Sequence, residues 1–343
     1  MPKKININNE DHQINDSDLI LSGGEGSVYL LKDPQCVKIL FDQHLQDSMK
    51  INKVLALCDK SDYLSGLSGF EDVAIPLFPA YHEENFCGFS MPFFKDSIPI
   101  NSILYDHFEQ KYNIEEITDG DIVNIIQQLF RLLQILHKQR IIVGDLNSDN
   151  ILINPDSKKT YLVDVDSAQV GEFYCGFSKE EYCCPIVESM GRNSSGGYSF
   201  STSSDIYSLT IICFELITGI HPFQPGVEPA IDVLEAKSKG INYVSYHYKN
   251  IKKDKGFQLI DKESYTLIFK RLDHIKKAYP SLYQHFVDVF DLNKRRYFER
   301  STITNVVQKK QKRSIRPIRG YTPAKSRQDP EEFSLFVKQY NLI

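Results

Sequence analysis

The chain has 343 residues, of which 41% are hydrophobic, 25% charged and 12% aromatic. That composition excludes a mostly disordered polymer, a collagen-like fibre and a mucin-like stalk, and the length allows one large domain or two ordinary ones around a full core. Forty basic and 45 acidic residues leave a net charge of −5, too mild to name a partner.

The charge is unevenly spread. Residues 309–327 hold eight cations (Lys309, Lys310, Lys312, Arg313, Arg316, Arg319, Lys325 and Arg327) and no acid, which leaves −13 on the rest. The most apolar stretch, Leu209 to Ile220, contains Glu215 and falls short of the roughly 18 residues that a membrane span needs, so no transmembrane segment is expected. The opening MPKKININNEDHQIND has no apolar h-region, so no Sec-type leader is expected. Seven cysteines, with no C-x-x-C, argue against a disulfide framework or a structural zinc site and for reduced thiols in a cytoplasmic setting.

In chain order, residues 1–16 are polar and expected to be flexible. Leu19 to Leu31 alternates around a glycine cluster and reads as two strands about a tight turn. Cys36 to Leu40 reads as a strand, residues 43–58 as a helix with an imperfect apolar stripe, and Ala74–His82 with Asn85–Phe94 as a hairpin about Glu83-Glu84. Residues 17–95 thus form a strand-rich lobe. From residue 96 to 308 helices dominate. Ile122, Ile125, Ile126, Leu129, Leu132, Leu133 and Leu136 recur at helical spacing. Short strands Ile151–Ile153 and Tyr161–Val163 follow, then a buried helix from Asp205 to Gly219 and further helices over 262–308. Residues 309–343 are a basic tail, and no internal repeat is present.

Three elements carry chemistry. Gly23, Gly24 and Gly26, within Ser22-Gly23-Gly24-Glu25-Gly26-Ser27-Val28, let backbone N–H groups approach a phosphate without Cβ interference, although a simple tight turn would look the same. Lys38 ends an apolar strand segment, where its ammonium needs an anion. Asp145, Asn150 and Asp164 stand in Gly144-Asp145-Leu146-Asn147-Ser148-Asp149-Asn150 and Leu162-Val163-Asp164-Val165-Asp166, both beside short strands. Phosphoryl transfer needs a carboxylate to orient the attacking hydroxyl, oxygen ligands for a divalent cation, and a cation on the phosphates. Asp145, the Asn150/Asp164 pair and Lys38 supply these in turn.

In these motifs the chain resembles the protein-kinase superfamily, in order from residue 19 to residue 308. The glycine cluster through Val28 is similar to the glycine-rich loop, Lys38 to the strand-three lysine, and Phe89-Ser90-Met91-Pro92 to the gatekeeper and hinge. Asp145, Asn150 and Asp164 match the catalytic aspartate, the metal asparagine and the D-F-G aspartate. Asp205-Ile206-Tyr207-Ser208-Leu209 and Gly219-Ile220-His221-Pro222-Phe223 match the buried-helix segment and its ending. More narrowly, the motifs resemble a bacterial Ser/Thr kinase group with G-D-x-N-x-x-N and D-x-D-S-x-Q, some of whose members carry a helix-hairpin-helix module not found in this chain.

The resemblance implies an α+β, bilobal fold with a small antiparallel-sheet N-lobe and a larger helical C-lobe, and ATP with Mg²⁺ or Mn²⁺ as cofactors. It implies Lys38, Asp145, Asn150 and Asp164 as catalytic residues, Asn150 and Asp164 also being metal ligands. For the nucleotide it implies Gly23, Gly24, Gly26, Val28, Lys38, Met91, Phe93 and Leu152, with Val28 and Leu152 sandwiching adenine, Met91 behind it and Pro92-Phe93 at the hinge. The reaction implied is phosphotransfer to Ser or Thr of a protein whose identity is unknown. Alternatives are a pseudokinase acting as a nucleotide-binding interaction module and a small-molecule kinase. The basic run can take an anionic partner or polyanion, or be a solvated tail; nucleic acid is not expected.

Departures accompany the likeness. Val143-Gly144 stands where His-Arg is usual, which speaks against control by a phosphorylated activation loop. Ser178 and Tyr182 are the acceptor candidates in that segment. Asn147 replaces the catalytic-loop lysine, Val165-Asp166 replaces Phe-Gly, and Cys184-Pro185-Ile186 replaces Ala-Pro-Glu. No glutamate follows Lys38 on the next helix. Asp47 or Asp59 is the candidate tether for Lys38, and Asp166 a candidate second carboxylate for the metal.

Overall fold

Apolar residues at every second position drive the first part of the chain into antiparallel strands. The computed structural model describes residues 4–31, 34–64, 69–103, 117–194 and 196–290; the basic run and tail over 309–343 lie outside the described residues. The described chain groups into two units that divide after Leu209.

In the first unit, β1 (Lys4–Ile7), β2 (Glu10–Gln13), β3 (Leu19–Ser22), β4 (Gly26–Leu30) and β5 (Gln35–Leu40) precede α1 (Asp42–Leu45) and α2 (Ser48–Leu64), then β6 (Phe78–His82) and β7 (Asn85–Pro92). They build one seven-stranded sheet in the order β2-β1-β6-β7-β5-β4-β3. Residues 4–13 therefore correct the expectation of a flexible segment over 1–16. Asn8 and Asn9 both take positive φ, 51° and 66°, as a two-residue hairpin turn requires. That turn lets Ile5 and Ile7 point into a core with Ile14, Tyr29, Val37, Ile39, Ala80 and Cys87. The helix expected over 43–58 is divided, because Asp47 Oδ1 accepts from the backbone N–H groups of Met49 (3.0 Å) and Lys50 (3.2 Å) and starts a new helix there. The strand expected from Ala74 begins at Phe78, past Pro76, which has no N–H for a ladder.

After β8 (Ile98–Pro99) the unit becomes helical. α3 (Asp119–Lys138) opens on a reciprocal cap between Thr118 and Asp121 and buries Ile125, Ile126, Leu129, Leu132, Leu133 and Leu136 on one face. β9 (Ile141–Ile142), β10 (Ile151–Ile153), β11 (Thr160–Leu162) and β12 (Gln169–Val170) are short. β10 pairs with both β11 and β8, and β12 pairs with β9. These small sheets carry the loops that hold Asp145, Asn150 and Asp164. α4 (Pro185–Met190) and α5 (Thr202–Thr218) follow.

The second unit holds the last turns of α5 and β13 (Val227–Glu228), α6 (Val233–Lys239), α7 (Tyr243–Lys249), β14 (Lys253–Asp254), β15 (Phe257–Leu259), α8 (Lys262–Ala278) and α9 (Pro280–Phe290). Phe214, Phe223, Phe286 and Phe290 pack edge to face at its centre, with Phe223 and Phe290 centroids 5.4 Å apart. Beside them His285 is buried, with Nε2 2.8 Å from Thr210 Oγ1.

Burial drives the His285 pKa down from 6.5 to about 4. The neutral ring is favoured in the folded chain, so its contribution to stability is whole above pH 6.5 and is lost as the pH falls toward 4. Urea melts should show that His285→Gln removes about 2 kcal/mol of the stability lost between pH 6.5 and pH 5, taking one pKa unit as about 1.4 kcal/mol.

Candidate active site

The site forms where β4, β5 and β7 face the loops after β9 and β11. Lys38 sits in mid-sheet, paired with Val28 on β4 and Phe89 on β7. The sheet buries it to 8% exposure. Its ammonium gathers three carboxylates: Nζ lies 2.9 and 3.1 Å from the two oxygens of Asp166, 3.0 Å from Asp164 Oδ1 and 3.5 Å from Glu25 Oε2. Burial works against the Lys38 charge, but Asp166 and Asp164 outweigh it and raise its pKa. Neither Asp47 nor Asp59 is among these partners, which corrects the expected tether; Asp47 caps α2 instead. Asp166, with both oxygens on Lys38, is likewise not an open second carboxylate for a metal.

Asp164 follows β11 in a left-handed conformation, φ 58° and ψ 34°, which Asp tolerates better than most residues. Burial first, and then the Asp166 charge, lift its carboxyl to about 6. Its side chain keeps 48% exposure, so water moderates that rise. In Asp166 burial is opposed by Lys38, which holds the carboxyl below its ordinary value.

Asp145 and Asn150 are joined through the backbone. Asn150 Nδ2 donates to the Asp145 carbonyl at 2.9 Å, and Val163 N–H donates to the Asn150 carbonyl at 3.0 Å, which ties the loop to the residue before Asp164. Asn147 is buried, and its Nδ2 donates to Asp145 O and Oδ1 at 3.2 Å. Asp145 Oδ1 also accepts the Lys179 N–H at 2.9 Å.

The loop hangs from Asp205. Its fully buried carboxylate accepts from Val143 N–H (2.8 Å) and Gly144 N–H (2.9 Å), with His137 Nε2 at 2.8 Å. Gly144 has φ +75°, and a Cβ there would lie 2.9 Å from Cys175 Cβ and 3.0 Å from Phe200. No side chain fits where an arginine would stand in the likeness.

The remaining expected residues stand on β4, β7 and β10 and on the turns beside them. Val28 is buried, and Leu152 is half-buried in β10 opposite Tyr161 and Pro99. Met91 is half-buried and packs with Leu40, Val54, Cys58 and Phe89. Phe93 is half-buried and its N–H donates to Pro34 O at 2.8 Å. A Cβ on Gly26 would strike Ile39 O at 2.2 Å, whereas Gly23 and Gly24 have nothing within 4 Å. Gly26 is thus required by the sheet itself, and the first two glycines leave their loop open. Tyr182 is buried with its hydroxyl 3.0 Å from Ser148 Oγ, which removes it as an accessible acceptor. Ser178 is half-buried beside Gly144 O at 3.5 Å.

α2 contributes cations that residue types alone did not reveal. Lys50 Nζ lies 2.5 Å from Glu25 Oε1. Lys53 Nζ donates to Ser167 O at 3.1 Å and Tyr174 O at 2.6 Å. Both lysines line a cavity of about 570 Å³ with Glu25, Asp166, Phe173 and Tyr174.

Known families and proteins share this chain's pattern. The family described as "Protein kinase domain" matches residues 22–309. The serine/threonine-protein kinase PknD of Chlamydia abortus is 21% identical over 229 residues, covering 60% of this chain and 24% of its own length. PknD of Chlamydia pneumoniae is 21% identical over 224 residues with the same coverage. The serine/threonine-protein kinase pkn3 of Myxococcus xanthus is 26% identical over 117 residues, covering 32% of this chain and 21% of its own. The chain spans about a quarter of the length of these relatives.

Asp205→Asn would turn one acceptor toward a backbone N–H into a donor. Thermal and urea melts should show a loss of about 2 kcal/mol or more.

Proposed function

We propose that this chain, which belongs to the protein kinase family, transfers the γ-phosphoryl of ATP to Ser or Thr of a protein. What supports the reading is the convergence of four side chains on one small region. Lys38 meets Asp164 at 3.0 Å, Val163 bonds to Asn150, and Asn150 bonds to Asp145. Few other reactions call for this set of a buried cation, a metal-competent carboxylate with an amide oxygen, and a further carboxylate.

The donor set fits a hard divalent cation. The Asn150 amide nitrogen is committed to the Asp145 carbonyl, so its oxygen is the atom left for Mg²⁺ or Mn²⁺, and half-exposed Asp164 offers a carboxylate. A bound cation would neutralise charge on the phosphates. Lys38 would hold those phosphates beneath the open Gly23-Gly24 turn. Val28 and Leu152 would enclose the adenine, with Met91 behind it and Phe93 at the hinge. Asp145 would accept the hydrogen bond of the attacking hydroxyl.

The activation segment is atypical in this reading. Gly144 leaves no room for an arginine that would clamp a phosphate, and Tyr182 is buried. Turnover should therefore not depend on phosphorylation of the segment, and Ser178→Ala should change the rate by less than about twofold. A second reading, a nucleotide-binding module without turnover, draws on the Lys179 N–H that already occupies Asp145 Oδ1.

An intact-mass assay with ATP, Mg²⁺ or Mn²⁺ and a generic protein separates the two. The kinase reading expects phosphate incorporation that Asp145→Ala cuts by at least about a hundredfold, while the ATP-induced rise in melting temperature stays. A thermal shift without any incorporation favours the module. No shift at millimolar ATP with either metal rejects both.

A further inference from the structure

Helix α2 brings cations to the region around Lys38 and leaves its ammonium to acids from elsewhere. Lys50 is spent on Glu25, and Lys53 on the carbonyls of Ser167 and Tyr174. The three carboxylates that do reach Lys38 differ sharply. Glu25 is 43% exposed and stands 3.5 Å away, and Asp164 is 48% exposed with one oxygen engaged. Asp166 is 3% exposed and turns both oxygens to the ammonium, at 2.9 and 3.1 Å.

We propose that Asp166 is the positioning residue for Lys38, so that the lysine is oriented by the turn that carries Asp164 and not by helix α2. A buried carboxylate must be paired, and a bond held away from water is neither screened nor loosened as an exposed one is. The Val165–Ser167 turn is a single 3-10 turn directly after Asp164. It therefore fixes the distance between the lysine and the carboxylate left for a cation. When a metal takes Asp164, Lys38 keeps Asp166 and stays charged in place. A displacement of α2 would break Lys50–Glu25 without removing the buried partner of Lys38.

The pairing stands on geometry alone; its catalytic consequence rests on the phosphotransfer reading above. A stability cycle on the full chain tests the first. Lys38→Met strands the Asp166 carboxylate and should lower the melting temperature by about 5 °C or more. Adding Asp166→Asn to Lys38→Met should recover at least half of that loss, whereas adding Glu25→Gln should recover none. The proposal is overturned if the double variant is no more stable than Lys38→Met, or if Glu25→Gln recovers as much. Asp166→Asn alone, which leaves the ammonium only the half-exposed Asp164 and Glu25, is free to fail to fold without affecting this reading of the cycle.

Kinetics test the second. Where Asp166→Asn folds, kcat at saturating ATP and Mg²⁺ should fall at least about tenfold with a smaller change in KM, because the Lys38 ammonium then lacks the buried partner that holds it in place within the bound complex. Unchanged kcat in a folded Asp166→Asn overturns the positioning role. A wild-type chain without turnover rejects the phosphotransfer reading only, and the stability cycle still decides the pairing.

Discussion

A single buried ammonium organises the site. Lys38 lies in the middle of a sheet, away from water, and such a charge is tolerated only beside carboxylates. Asp166 and Asp164 must therefore come to β5, and the loop after β11 is fixed against the sheet by that requirement. Asp164 is left in a left-handed conformation with half its surface open, so one face of the carboxylate meets the lysine and the rest is available to a cation. Local electrostatics thus set the geometry, and the available chemistry follows from it.

A second buried charge does the same for the loop that carries Asp145. Asp205 receives two adjacent backbone N–H groups and the His137 ring, and this holds Val143 and Gly144 in place, with Gly144 at a φ of +75° that only glycine fits there. The packing of Cys175 and Phe200 against Gly144 removes the place an arginine would need. The segment after Asp164 is instead held by cations on backbone carbonyls, Lys53 of α2 on those of Ser167 and Tyr174 and Arg192 Nη1 on those of Gly176 (3.1 Å) and Gly196 (2.6 Å), and by the Lys179–Asp149 ion pair at 2.9 Å. A segment held this way has no cationic clamp waiting for a phosphate at Gly144.

Most elements were legible because their patterns are local. The glycine cluster, the alternation around Lys38 and the apolar stripe of α3 each specify a structure within a few residues. The motifs around Asp145 and Asp164 were legible for the same reason, with the spacing itself carrying the signal. The first 16 residues were misread because polar Asn8-Asn9 looks like loop, while the burial of Ile5 and Ile7 depends on a sheet partner far along the chain at β6. The partner of Lys38 was not legible, because the acids near the helix that follows it do not reach the ammonium. Asp166 lies 128 residues away, and nothing in a D-x-D pattern tells which aspartate turns inward. That choice is made by the left-handed turn at Asp164, a backbone feature with no sequence mark of its own.

On the proposed phosphotransfer function, the Lys38 cluster with Asn150 takes a nucleotide through a divalent cation. Isothermal titration of a non-hydrolysable ATP analogue onto the wild-type chain and onto Asp164→Asn, each with Mg²⁺ and with a chelator, measures this directly. Binding to the wild type should be at least about tenfold tighter with Mg²⁺, and Asp164→Asn should lose that gain. Equal affinity with and without the metal, or a gain that survives in Asp164→Asn, would contradict the account.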